Sequence, residues 1–310
     1  MLPGTDIVTG AFGYIGRYIT GQLLDSGRGV KTITTHIEKP NPFGEQVKAY
    51  PYNFDRPELL QETLRGAETL YNTYWVRFNH GSSTFAQAVK NTEVLFQCAV
   101  EAGIQKIVQI SVTNASSESP LPYYQGKAIQ EEALKRCGVP YAIIRPTLVF
   151  GKEDILVNNI AWLIRKYPVF PIFGDGQYRV QPVYVDDLAT IAIEAAKQTG
   201  NNIIDAIGSE NYTFEAFVRL IAKTLSRNVV FVRTPPGLGI TFGKVIGLAF
   251  QDVLLTKAEL EGLMTNMLTS DQEPTGNTRF SAWLDENKHS VGSAYSSELA
   301  RHFRWTPGKI

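Results

Sequence analysis

Near its N-terminus the chain reads Thr9-Gly10-Ala11-Phe12-Gly13-Tyr14-Ile15-Gly16-Arg17, and few local sequences limit the accessible folds as tightly. The preceding Ile7-Val8-Thr9 is β-prone, and Ile15, Tyr18, Ile19, Gln22 and Leu23 then recur at helical spacing until Gly27. Gly10, Gly13 and Gly16 therefore occupy a strand-to-helix turn. A tight turn uses positive φ, and a backbone that closely approaches a ligand or a strand has no room for Cβ. The helix behind the turn offers unpaired N–H groups and the positive end of its dipole. Together these make a phosphate or pyrophosphate site. The plain alternative is an empty glycine-rich turn in a purely structural α/β module.

The rest of the first half alternates. Val30–Thr35, Val47–Tyr52, Thr69–Trp75, Ile107–Ser111 and Tyr141–Arg145 read as strands. Between them, Pro57 to Leu64, Phe85 to Ala99 and Tyr123 to Arg136 hold helical spacing, closed by Gly66, Gly103 and Gly138. Asp55 reads as the N-cap of the helix that starts at Pro57, with Glu58 completing a capping box. This β-α-β-α order predicts an α/β fold: a doubly wound parallel sheet with helices on both faces. Its ligand crevice lies at the carboxyl ends of the strands, near Gly10, Thr35, Tyr74 and Ser111. After about residue 148 the alternation weakens. We expect one domain carrying that sheet from 1–150 plus about 183–207, and a smaller C-terminal α/β lobe from about 151–182 and 208–310.

The totals exclude some partners. Lys plus Arg and Asp plus Glu number 30 each, so net charge is zero and there is no bulk electrostatic case for nucleic acid. The apolar run Gly237 to Phe250 carries Lys244 and is too short to span a bilayer, so no integral membrane segment is expected. No charged-then-apolar leader opens the chain, and Cys98 and Cys137 read as core thiols; a cytoplasmic location is expected. His36, His80, His289 and His302 have no metal-ligand spacing.

Tyr123 and Lys127 are four apart on a predicted helix and share a face. A nearby ammonium stabilises phenolate, so such a tyrosine can exchange a proton with a hydroxyl or carbonyl while hydride moves at a nicotinamide. A solvated helix surface is the bland reading of the same spacing, and Tyr124, three from Lys127, competes for the role.

Thr9 to Arg17 resembles the TGxxGxxG of short-chain dehydrogenases/reductases, especially their extended and atypical branches. Tyr123-Tyr124-Gln125-Gly126-Lys127 is similar to their YxxxK, and Arg145-Pro146 with Gly151 to their RPxxxxG. Gly174-Asp175-Gly176 and Val183 to Ala189 resemble their GDG and VHVDDxA segments, and Asn91 falls where they carry a helix asparagine. The nearest flavour is the atypical, epimerase/dehydratase-like set that includes the nucleotide-binding accessory subunit of respiratory complex I. The resemblance implies a Rossmann domain, a C-terminal lobe that binds substrate, and a bound NAD(P)(H) contacted by Gly10, Phe12, Gly13, Tyr14, Ile15, Arg17, His36, Asp55, Lys127 and Pro146. It makes Tyr123 the acid/base and Lys127 its partner, also holding the nicotinamide ribose. The family's serine or threonine position falls on Val112, so Ser111 and Thr113 both remain candidates. Dimers through the helices flanking the sheet are frequent in the family, and a homodimer is possible here.

Cofactor choice is read at the second strand. It ends Thr34-Thr35-His36 with no carboxylate for a ribose 2′-hydroxyl, and Arg17 follows the last glycine. That suits a 2′-phosphate, so NADP(H) is expected over NAD(H). Arg77 and His80, beside the crevice, and Arg179, in the second lobe, are candidate substrate contacts. The expected function is an NADP(H)-binding oxidoreductase or epimerase/dehydratase-like enzyme on a small polar substrate. The alternative is a nucleotide-binding regulatory or assembly protein with little or no turnover.

Overall fold

A computed structural model describes residues 4–235, 237, 252 and 256–302. The chain forms two compact units, Met1–Pro146 with Val185–Ala206, and Thr147–Tyr184 with Ile207–Ile310.

In the first unit β1 (Thr5–Thr9), α1 (Tyr14–Asp25), β2 (Gly29–Thr34), β3 (Val47–Pro51), α2 (Pro57–Leu64), β4 (Thr69–Asn72), α3 (Phe85–Ala102), β5 (Lys106–Ile110), α4 (Pro122–Arg136) and β6 (Tyr141–Pro146) follow one another. The chain then runs through the second unit as β7 (Leu148–Phe150), α5 (Leu156–Lys166), β8 (Val169–Phe173), β9 (Arg179–Val180) and β10 (Pro182–Tyr184). It returns to the first as α6 (Val185–Lys197) and β11 (Asn202–Ala206).

The expected doubly wound sheet forms. Its strand order is β11-β6-β5-β4-β1-β2-β3, and every pairing is parallel. Chain order runs outward in opposite directions from β1 and β4, so the crevice of such a sheet opens at the carboxyl ends of those two strands. Both sheet faces are covered, and the strands are apolar almost throughout: Ile7, Val8, Ile33, Leu70, Ile107 and Ile143 have no exposure. Leu60, Leu64, Leu95 and Phe96 pack into the same core from α2 and α3, each contributing about 1.5–3 kcal/mol. Gly103 ends α3 in the left-handed conformation at φ +81°, its N–H bonded back to the last turn.

Two local expectations are corrected. β4 stops at Asn72 rather than Trp75, because Thr9 Oγ1 takes the backbone N–H groups of Thr73 and Tyr74 and turns the chain out of the sheet. Asp55 is not the cap of α2. The N-cap is Arg56, without a side-chain cap bond, and Pro57 follows it. Asn53, at φ +47°, closes a turn in which its carbonyl accepts from Arg56 N, and this leaves Asp55 exposed and outside the helix.

The second unit adds β12 (Tyr212–Thr213), α7 (Phe214–Thr224), β13 (Val230–Thr234), α8 (Lys257–Met264), α9 (Phe280–Asn287) and α10 (Glu298–His302). β7 pairs parallel with β10, β8 parallel with β13, and β9 antiparallel with β12. Helices cover these short ribbons around a core in which Phe217 and Phe280 stack at 4.7 Å, with Phe150 and Leu284 beside them. The apolar run from 238 to 250 lies outside the described residues. Among the described residues no helix is long and apolar enough to cross a membrane, and no cluster of His, Cys, Asp and Glu has the makings of a metal site. Cys98 is buried and Cys137 half-buried, both as free thiols.

Candidate functional site

The glycine turn leaves β1 at the crevice. Gly10 adopts φ +64°, and its N–H extends the β1–β2 ladder by donating to Ile33 O at 2.9 Å. Gly13 N–H donates to Gly10 O at 2.8 Å, which folds the turn on itself. A β-carbon at Gly16 would overlap that carbonyl, so α1 can sit this close to the turn only with glycine there. Gly13 is the N-cap of α1, and no side chain caps the helix. The first N–H groups and the positive dipole end therefore face the crevice, as an anion requires. Phe12 is buried beneath the turn; Tyr14, Ile15 and Arg17 are half-buried on the first turn of α1. A glycine turn packed this closely under an uncapped helix start fits a dinucleotide pyrophosphate.

Beside it, at the ends of β2 and β3, a cleft of about 480 Å³ is lined by Thr34, Thr35, Tyr52, Phe54, Asp55 and Asn91 among others. Tyr52 stacks on Phe54 at 4.7 Å, and Tyr74 packs tilted against Tyr52 at 4.9 Å. Asn91, from α3, donates to Tyr74 Oη at 2.8 Å and is itself held by Gln87. Burial raises the Tyr74 hydroxyl above the ordinary tyrosine range, with the Asn91 bond opposing it. Among the described residues, Asp55 is the only charged side chain on the lining. His36 N–H bonds to Thr34 Oγ1 at the end of β2.

The proton-transfer candidates cluster at the ends of β5 and β6. Tyr123 and Lys127 lie on α4, where Pro122 opens the helix. Lys127 is not on a solvated surface: it is 3% exposed, donates from Nζ to Ile110 O at 2.8 Å, and lies under the indole of Trp75 at 4.8 Å. Desolvation pushes its ammonium down to about 7, against the pull of Glu131. Tyr124 is buried, whereas Tyr123 is half-buried and packs edge-on to Trp75 and Phe85. Ser111 and Thr113 are both buried, and Val112 between them is also buried. Ser111 Oγ donates to Glu131 Oε1 at 2.5 Å, and Arg145 holds the same carboxylate with two N–H groups. Thr113 donates from its backbone to Pro146 O at 3.1 Å and from Oγ1 at 3.4 Å. Ser111, Thr113, Lys127 and Pro146 thus share one neighbourhood. His80 is exposed and exchanges backbone bonds with Ser83 on the loop where Arg77 is half-buried. Arg179 belongs to the second unit, where it donates to Asn211 Oδ1.

Sequence reasoning missed a buried polar chain beneath the crevice. Thr9 Oγ1 donates to Asn72 Oδ1, Asn72 Nδ2 to Gln109 Oε1, and Gln130 Nε2 to Thr92 Oγ1, all at 0% exposure. Gln109 Nε2 reaches both Gln130 Oε1 and Ile110 O, the carbonyl that also receives Lys127. The available signal was an amide in each of the apolar strands Thr69–Asn72 and Lys106–Ile110. Unpaired, such groups cost about 2–7 kcal/mol to bury.

The sequence model of the NAD dependent epimerase/dehydratase family matches residues 7–207. The NADH dehydrogenase (ubiquinone) 1 alpha subcomplex subunit 9, mitochondrial, of Arabidopsis thaliana is 29% identical over 63% of this chain and 51% of its own length. The chain thus spans about half the length of that relative. The photosystem II assembly factor Ycf39 of Cyanophora paradoxa is 24% identical over 74% of this chain and 71% of its own. The triphenylmethane reductase of Citrobacter sp., solved with NADP(H), shares the fold at TM-score 0.72 and 19% identity, covering 93% of this chain and 95% of that one. The chain belongs to the NAD dependent epimerase/dehydratase family.

Proposed function

We propose that this member of the family binds NADP(H) at the glycine turn and the β2–β3 cleft, and holds it as an accessory or assembly protein with little turnover. The observation that carries binding is the Gly10–Gly13–Gly16 turn under the uncapped start of α1. In this reading the turn holds the pyrophosphate with Phe12, Tyr14 and Ile15 around it, Asp55 meets the adenine amine, and Arg17 and His36 receive the 2′-phosphate. The absence of a carboxylate at the end of β2 supports NADP(H) over NAD(H). Low turnover is supported by the engagement of Ser111 with Glu131 and of Lys127 with Ile110 O and Trp75. Two of the relatives are by name a subunit and an assembly factor of larger complexes.

A second reading is favoured by one observation: Tyr123 keeps partial exposure on the same helix face as Lys127. Here the protein is an oxidoreductase or epimerase/dehydratase-like enzyme on a small polar substrate. A bound nicotinamide would supply or accept hydride, and Tyr123 would move the proton at its phenolic oxygen, while Thr113 is fully buried and bonded to Pro146 O. Arg77 and His80, on the loop after β4, serve as substrate contacts. A cytoplasm-like reducing compartment suits the free thiols in either reading.

NADPH and NADH titrations, followed by thermal shift and tryptophan quenching with Gly13→Val as control, test binding. Saturable NADPH binding lost in the control supports the site; no binding of either nucleotide sinks it. Turnover abolished by Tyr123→Phe favours the enzyme, and function untouched by that change favours the accessory protein.

A further inference from the structure

Trp75 stands just past the end of β4, in an irregular segment, and its indole covers Lys127. The seat is shaped for it. Gly126 occupies the α4 position beneath the ring, where a β-carbon would come within 2.6 Å of Trp75 Cη2. Phe85 stacks on the indole at 5.6 Å and Tyr123 meets its edge at 5.9 Å. The fit has one flaw: Trp75 Nε1 is buried with no hydrogen-bond partner. An unmade bond to a buried donor is costly, so the indole is held by packing and by its contact with the ammonium rather than locked by polar bonds.

Building on the NADP(H) reading, we propose that Trp75 decides how much of the dinucleotide this protein recognises. With the indole seated, the turn and cleft take the adenosine and phosphate half, and Lys127 is withheld from the nicotinamide half. A ligand atom that is to hydrogen-bond Lys127 Nζ has to displace a neighbour, because the side chain is 3% exposed. The indole is the neighbour with the weakest polar tether, since the Ile110 carbonyl on the other side belongs to the sheet.

Calorimetric titration of the full chain with NADPH and with 2′,5′-ADP, which lacks the nicotinamide half, tests this. In wild type the two affinities should agree within about threefold. Trp75→Ala should tighten NADPH about tenfold and leave 2′,5′-ADP within about twofold, with Trp75→Phe falling between. Should Trp75→Ala not fold, the wild-type pair and Trp75→Phe carry the same comparison. Wild-type NADPH bound more than about tenfold tighter than 2′,5′-ADP overturns the proposal, as do variants that shift both ligands in parallel. Failure of wild type to bind either ligand overturns the NADP(H) reading itself, and this inference with it.

Discussion

Ser111 and Glu131, on β5's exit and on α4, are joined by a buried 2.5 Å hydrogen bond. The carboxylate is shared with Arg145, whose guanidinium it holds above its ordinary pKa. The hydroxyl nearest the end of β5 is therefore committed to a buried ion pair.

That commitment separates stability from ligand binding. Ser111→Ala should lower unfolding free energy by about 1–3 kcal/mol, since one carboxylate oxygen loses its donor. Nucleotide affinity should stay within about twofold. Urea denaturation and NADPH titration on the same preparation measure both. Weaker binding at unchanged stability would instead make Ser111 a ligand contact.

At the glycine turn the expectation is reversed in emphasis. Gly16→Ala places a methyl against Gly10 O, and either α1 or the turn must move. We expect about 1–3 kcal/mol of destabilisation from overpacking, together with loss of measurable nucleotide binding. Thermal melts with and without NADPH read this directly: the variant should melt lower and gain nothing from ligand. Gly21→Ala, inside the same helix where a β-carbon meets nothing within 4 Å, is the control: it should leave binding unchanged and melt no lower, since alanine is the better helix former.

Lys127 gives a pH signature. Its folded pKa, near 7, lies below the value of an unfolded lysine. Between those values the unfolded chain binds more protons, so the lysine's destabilising effect is full below about pH 7 and fades as pH rises. Wild type should therefore gain melting temperature relative to Lys127→Met between pH 7 and pH 9. A difference that is flat across this window would mean the ammonium is charged throughout.

On the proposed NADP(H) reading, cofactor choice rests on Arg17. Arg17→Ala should weaken NADPH about tenfold, as loss of one charge-assisted bond predicts, and leave NADH nearly unchanged. Equal loss for both nucleotides, or wild-type NADH bound as tightly as NADPH, would remove the 2′-phosphate assignment.

The alternating sheet, the glycine turn and the Tyr123–Lys127 face were legible in the sequence because each is a local pattern. Glycine spacing, helical period and apolar strands act over a few residues, and the backbone answers to them directly. What the chain does around that frame depended on contacts between distant positions. Thr9 ends β4 early by taking two N–H groups more than sixty residues away. A left-handed Asn53 moves Asp55 off the helix it was expected to cap. Ser111 is claimed by Glu131, twenty residues on, and Lys127 is sealed by an indole from another strand's exit. Spacing places such side chains on a face. Only tertiary packing decides which of them are desolvated and what each then bonds to, because burial removes water as the competing partner.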